Sequence, residues 1–243
     1  MPFHKLFKSN FHFLKMKIVF TPDWFLNNDI LINVVSFLVL ATFFILALKS
    51  YNLSKKKSIL YLGIGFLLIA IGELSTILTK IVLYYDTTVT REIGQAVITY
   101  QIVRTVDIFY YIGFFFNRLF TLFGLYLIYK TPTRKELSGE FLLILYLLFI
   151  TALLSQAFFY VYHLTALLLL VMIIRHYYKG YKKEKLSNMM ILVAAFSLLA
   201  LSQVLFFFSK IGYFYVFAQS MQLISYAILF ALVIKILKNG KKA

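Results

Sequence analysis

Residues 141–174 form one apolar run with no glycine or proline. As a single helix this run would be about 50 Å long, against a bilayer core about 30 Å thick. It must therefore turn back on itself, and Ser155-Gln156 is the polar place where it can. Comparable runs recur along the chain. They predict an all-α membrane bundle with spans at roughly 29–49, 58–84, 103–130, 139–155, 157–178, 188–209 and 213–237. Composition agrees, with 62% hydrophobic and 14% charged residues and a mean hydropathy of +0.85. A water-soluble domain has about a quarter charged residues, so a soluble fold is excluded.

The net charge of +16 invites a nucleic-acid reading, but its distribution points elsewhere. Lys49, Lys55, Lys56 and Lys57 follow span 1, and Lys130, Arg134 and Lys135 follow span 3. Arg175, Lys179, Lys182, Lys183 and Lys185 follow span 5, and Lys235, Lys238, Lys241 and Lys242 follow span 7. The opposite ends of the spans carry Lys80, Arg91, Arg104 and Lys210. Basic loops mark the inner side of a membrane. The expected topology is seven spans, N-terminus out and C-terminus in, in a cell membrane. The inner loops then attract anionic lipid, and no nucleic-acid partner is expected.

The first residues, "MPFHKLFKSNFHFLK", are basic yet fall on the outer side of this scheme. Two readings stand: a basic amphipathic stretch on the membrane surface, or a true start at Met16. "FTPDWF" then reads as a helix start, with Thr21 as N-cap, Pro22 at the first helical position and Asp23 in the first turn. Trp24 falls in the outer interfacial belt. The absence of cysteine removes disulfides, thiolate metal sites and cysteine nucleophiles.

Sliding the chain against itself by 130 residues aligns Lys49 with Lys179, Tyr51 with Tyr181 and Lys55 with Lys185. It also aligns Phe66 with Phe196, Ala70 with Ala200, Lys80 with Lys210, and Tyr85 with Tyr215, without a gap. Asn33 meets His163, and Glu73 meets Gln203. The expected organisation is a basic N-terminal segment (1–27), repeat 1 (28–130, spans 1–3), a linker helix (131–156, span 4) and repeat 2 (157–243, spans 5–7). Parallel repeats related by an axis along the membrane normal occur in transporters. This 3+1+3 plan resembles the sugar-transporter family with triple-helix bundles and, more loosely, the opsin and receptor superfamily. The chain also looks similar to seven-helix integral membrane proteins of archaea. The resemblance is one of topology. The prolines are Pro2, Pro22 and Pro132, none within a span, and Lys235 lies at the inner end of span 7. The repeat-helix prolines of the sugar transporters and the mid-span lysine of an opsin are both missing.

"FFFNRLF", residues 114–120, places Arg118 inside span 3. A charge at the bilayer centre costs at least about 2.5 kcal/mol, so Arg118 must face the bundle interior and find a partner. Glu73 is the acid lying well inside a span. Counted from Lys130 and Lys57, Arg118 and Glu73 lie about 18 and 24 Å from the inner interface. Helical side chains lean toward their own N-terminus, so the two heads converge. This predicts a Glu73–Arg118 ion pair. Asn117, His163, Gln203 and Gln222 fall near the same level, with Asn33 and Gln219 close by. Together they make a polar layer and a candidate ligand site. Taken singly, such groups commonly serve as interhelical glue, and His163 alone reads as a satisfied core histidine.

The chemistry of enzymes is sparse. His163 is one membrane histidine, too few for a zinc or a two-histidine haem site. Ser75, in "GELS", lacks a base and a flanking glycine motif, and no phosphate-binding glycine loop occurs. No cofactor, metal or catalytic residue is expected. Two functions remain. The first is a non-enzymatic receptor-like, sensory or accessory bundle signalling to a protein partner through its cytoplasmic loops. The second is a transporter of a small anionic solute, with its site at the repeat interface.

Overall fold

The computed structural model describes residues 21–25, 27–93, 96–131 and 140–240, and the side chains there other than 23, 84–93, 96–108, 140 and 236–240. The basic segment 1–20 and the link carrying Arg134 and Lys135 lie outside the described residues, as do the side chains of Tyr85, Arg91 and Arg104. Seven α-helices occur among the described residues: α1 (Asn28–Ser54), α2 (Lys57–Ile93), α3 (Ala96–Lys130), α4 (Glu140–Leu154), α5 (Phe159–Glu184), α6 (Ser187–Phe206) and α7 (Gly212–Gly240). All but α4 are long and apolar enough to cross a membrane, and the apolar part of α4 is the shorter stretch Phe141–Leu154. The fold is thus all-helical among the described residues and compatible with a multi-pass membrane protein.

The apolar run 141–174 breaks where its one polar dipeptide falls. The chain turns at Ser155–Phe158, where Gln156 N donates to Leu153 O and Ala157 N to Leu154 O, both at 3.1 Å. The start near Pro22 differs from expectation. Asp23–Phe25 forms a separate 3-10 turn, and α1 begins only at Asn28, after Asn27 with φ 75°. Asp29, not Asp23, occupies the first turn of α1.

Helix packing follows chain order around a ring. α1 packs on α2, α2 on α3, α3 on α5, α5 on α6, α6 on α7, and α7 returns to α1. α4 packs on α3 and α5 and turns Leu142, Leu143 and Tyr146 outward. One end of the ring gathers Lys55, Lys57, Lys130, Lys179, Lys185 and Lys235; there Lys235 of α7 reaches Ser187 of α6 at 3.0 Å. In this lysine-rich half the centre is filled by an apolar core including Phe66, Leu122, Ile128, Ile173, Phe196, Leu229 and Leu232. Helical hydroxyls inside the bundle are satisfied locally: Ser36, Thr76 and Thr79 each donate to the carbonyl four residues earlier. A polar group so paired is tolerated where no water reaches.

Glycine lets α2 and α3 touch. A Cβ on Gly124 of α3 would stand 2.5 Å from the carbonyl oxygen of Gly65, and one on Gly72 would stand 3.0 Å from that of Asn117. The glycine cluster of α2 therefore serves helix contact, as small residues do in membranes.

Two tight turns at the lysine-rich end share one geometry. α1 and α5 each end on a lysine in the left-handed region, Lys55 (φ 52°) and Lys185 (φ 50°). Each donates its N–H to a tyrosine carbonyl four residues back, Tyr51 or Tyr181, at 2.7 Å. Left-handed backbone costs a residue with a Cβ about 1–2 kcal/mol, and glycine is the usual occupant. Lys185→Gly is expected to raise the melting temperature by about 2–4 °C, the equivalent of ~1 kcal/mol. A drop on thermal unfolding would show that the lysine side chain, not the backbone, governs this turn.

Candidate functional site

Away from the lysine-rich end, the ring encloses a cavity of about 170 Å³. Its floor is apolar, with Leu40, Leu125, Leu170 and Leu229, and its walls carry polar and charged side chains among apolar ones such as Phe114, Phe159 and Phe206. Glu73, Asn117, Arg118, His163, Gln203 and Gln222 all line it. The structure thus brings all six sequence-derived site residues to one space, with Asn33 and Gln219 among their neighbours.

The direct Glu73–Arg118 ion pair does not form. The level was right, since Asn117 Nδ2 donates to Gly72 O at 2.9 Å, setting the two helices in register beside both charges. The azimuth was the error. Glu73 and Arg118 each follow a contact residue by one position, a rotation of about 100° off the line joining the helix axes. On antiparallel helices both rotations turn to the same side and splay the heads apart. Glu73 goes to α7, where Oε1 accepts from Gln222 Nε2 at 3.0 Å and from the Tyr226 hydroxyl at 3.4 Å.

Arg118 goes to the turn between α4 and α5. Its Nη1 donates to Ser155 Oγ at 3.1 Å, and Ser155 Oγ donates onward to Ala152 O at 2.7 Å. The guanidinium also lies 6.0 Å from the centre of the Tyr162 ring. The last carbonyls of a helix carry about half a negative charge. Arg118 is therefore answered by the C-terminal end of α4 and an aromatic face, not by a carboxylate.

The ion pair that forms is Lys80–Asp29, at 2.9 Å, with side chains 6% and 0% exposed. Lys80 Nζ also donates to the Tyr215 hydroxyl at 3.4 Å. With its amide oriented to suit both neighbours, Asn33 donates to Asp29 O at 3.2 Å and accepts from Lys80 at 3.3 Å. Sequence reasoning treated Lys80 as a span-end residue and gave Asp29 no role. α2 in fact continues past Lys80 to Ile93, which puts the ammonium inside the bundle. The one available signal was that Asp29 and Asn33, four residues apart, share a face of α1.

His163 Nδ1 and Gln203 Oε1 are 2.8 Å apart, a hydrogen bond in the tautomer with its proton on Nδ1, and the imidazole stacks on Phe206 with centroids 5.1 Å apart. Ser75 donates to Gly113 O at 2.9 Å and so ties α2 to α3. Missed from the sequence were Ser155, Tyr162, Tyr215 and Tyr226. The spacing Tyr215, Gln219, Gln222, Tyr226 was the missed cue: it steps by four, three and four residues and so lays one polar stripe along α7. Among the described residues no three His, Asp or Glu side chains gather as a metal site would need.

The ring and its contents define a class: an all-helical bundle, compatible with a multi-pass membrane protein, in which six helices surround a cavity lined in part by polar and charged side chains above an apolar core. No protein family, curated protein or solved structure matches the chain.

Proposed function

We propose that the chain is a non-enzymatic, receptor-like or sensory membrane protein that holds a small polar molecule in this cavity. The observation that carries this reading is the convergence of Glu73, Lys80, Arg118 and His163 on one space between helices. Charged and imidazole groups inside a membrane are costly and mark ligand or ion sites more often than they mark packing. In the accompanying topology, seven spans run with the N-terminus outside and the lysine-rich end in the cytoplasm of a cell membrane. That end meets anionic lipid headgroups and a protein partner.

Transport of a small anionic solute is the second reading. It is supported by the parallel between the halves. The left-handed turns at Lys55 and Lys185 are 130 residues apart, and α2 and α6 start the same distance apart, at Lys57 and Ser187. The contacts of α3 with α5 and of α7 with α1 are the two junctions a two-fold repeat needs. The second helices end differently: Lys80 lies within α2, whereas Lys210 lies in the link between α6 and α7.

The absence of cysteine makes single-cysteine probing clean. Gln219→Cys is expected to react with a small charged methanethiosulfonate in the folded, reconstituted protein. Reaction only after denaturation would remove the cavity as a binding site. Uptake of a carboxylate by the same proteoliposomes under a proton gradient would move the assignment from receptor to transporter.

A further inference from the structure

The charges of the cavity fall into two kinds. Lys80 is matched inside the chain by Asp29 at 2.9 Å. Glu73 and Arg118 form no salt bridge among the described residues, although both are buried, at 6% and 9% exposure; Lys80 acts on Glu73 across the cavity but is already held by Asp29. Glu73 and Arg118 share the cavity wall, and the α2–α3 contact at Gly72 and Asn117 places them at one level. A chain that needed only to neutralise them could have paired them, as it does Asp29 and Lys80. Instead the carboxylate is held toward α7 and the guanidinium toward the α4–α5 turn.

The donors and acceptors are also lopsided. Both hydrogen bonds to Glu73 fall on one oxygen, Oε1. Arg118 carries five N–H donors, and Ser155 takes one of them. Gln219 adds a further acceptor on the Glu73 side. It lines the cavity three residues before Gln222, and its Oε1 is buried without a hydrogen-bond partner. The Glu73 side thus keeps one open acceptor, Gln219 Oε1, beside the carboxylate, with Lys80 held by Asp29 nearby, and the Arg118 side keeps guanidinium donors that Ser155 does not use.

We propose that the ligand is a small zwitterion, bound with its carboxylate on Arg118 and its ammonium on Glu73 and Gln219. This rests on the cavity being a binding site. Size supports the class: a cavity near 150 Å³ takes a molecule as large as benzene, so one of about 170 Å³ suits roughly five to eight heavy atoms. Such a ligand supplies both missing counter-charges at once and brings no net charge into the membrane. A monoanion would bring no cation to Glu73, and a monocation would bring no anion to Arg118, leaving each with only its neutral hydrogen-bond partners in direct contact; a buried charge so placed is expensive.

The test uses the purified full chain in lipid nanodiscs, with glycine, β-alanine and 4-aminobutyrate as zwitterions of increasing charge separation. Acetate and methylammonium are the single-charge controls. At least one zwitterion is expected to raise the melting temperature by about 2–4 °C while neither control does. Glu73→Gln and Arg118→Gln are each expected to weaken that binding by about tenfold or more, since each removes one charge-assisted contact. Stabilisation by acetate that survives Glu73→Gln overturns the zwitterion and leaves the cavity standing as an anion site. Stabilisation by methylammonium that survives Arg118→Gln overturns it in the same way. No shift with any of the five probes overturns both the zwitterion and the binding cavity. In the wild type alone, stabilisation by acetate or methylammonium that matches or exceeds that by every zwitterion also overturns the proposal, so the test holds even if a variant does not fold.

Discussion

Lys80→Ala is expected to lower the melting temperature of the purified protein by roughly 10 °C. The substitution removes an ammonium that is 2.9 Å from Asp29 and leaves a carboxylate whose side chain is fully buried. Removing one partner of a buried pair costs about 3–5 kcal/mol, mostly through the uncompensated charge left behind. A loss of 1 kcal/mol moves the midpoint of a chain this size by about 2–4 °C. Asp29→Asn is expected to cost less, because Lys80 keeps the Tyr215 hydroxyl and the Asn33 amide as acceptors. The double variant Asp29→Asn/Lys80→Met should recover much of the loss, since no charge then stays buried. The cycle measured by thermal unfolding in detergent reads this coupling directly. If the two single effects are small and simply add, water reaches the pair and it holds nothing together.

The same pair shows where sequence reading stops. Apolar runs and basic loops were enough to place seven helices, because a bilayer demands length and the loops carry the charge. They also placed the break at Ser155-Gln156 within an otherwise uniform run. Depth was legible as well: a fixed rise per residue put Arg118 and Glu73 about 18 and 24 Å deep, and the lean of helical side chains toward their N-termini brought the heads together; the Gly72–Asn117 contact lies there. Rotation about the helix axis was not legible. Which way Arg118 points depends on how α3 meets α2, α4 and α5, and that is set by glycine contacts distributed over both helices. Nor could composition show that α2 continues past its apolar stretch. Lys80 looked like a boundary residue, when it is an interior cation with a partner on α1. The polar residues of the layer were visible; their pairing was a property of the packed ring.

That dependence on helix contact makes Gly124 the second decisive position. A Cβ there would stand 2.5 Å from Gly65 O, 2.6 Å from a side-chain carbon of Ile69 and 3.2 Å from the Ile69 nitrogen. Two of these neighbours are backbone atoms of α2, which cannot rotate away. Gly124→Leu must therefore push α3 off α2. Overpacking of this kind typically costs about 1–3 kcal/mol and occasionally more; here the upper end is expected, a fall of about 6–12 °C in melting temperature. Separation of α2 from α3 also moves Glu73 and Lys80 relative to Asn117 and Arg118, since the pairs stand on opposite sides of that contact. Gly180→Ala is the matched control. Its Cβ would meet only the flexible side chain of Met189, at 3.1 Å, and alanine is the better helix former by about 1 kcal/mol. Gly180→Ala should leave stability unchanged or slightly raised, while Gly124→Leu lowers it and increases the reactivity of a cysteine at position 219. Equal effects at the two glycines would mean that α2 and α3 are not held at van der Waals distance. The cavity would then have to be positioned by other contacts.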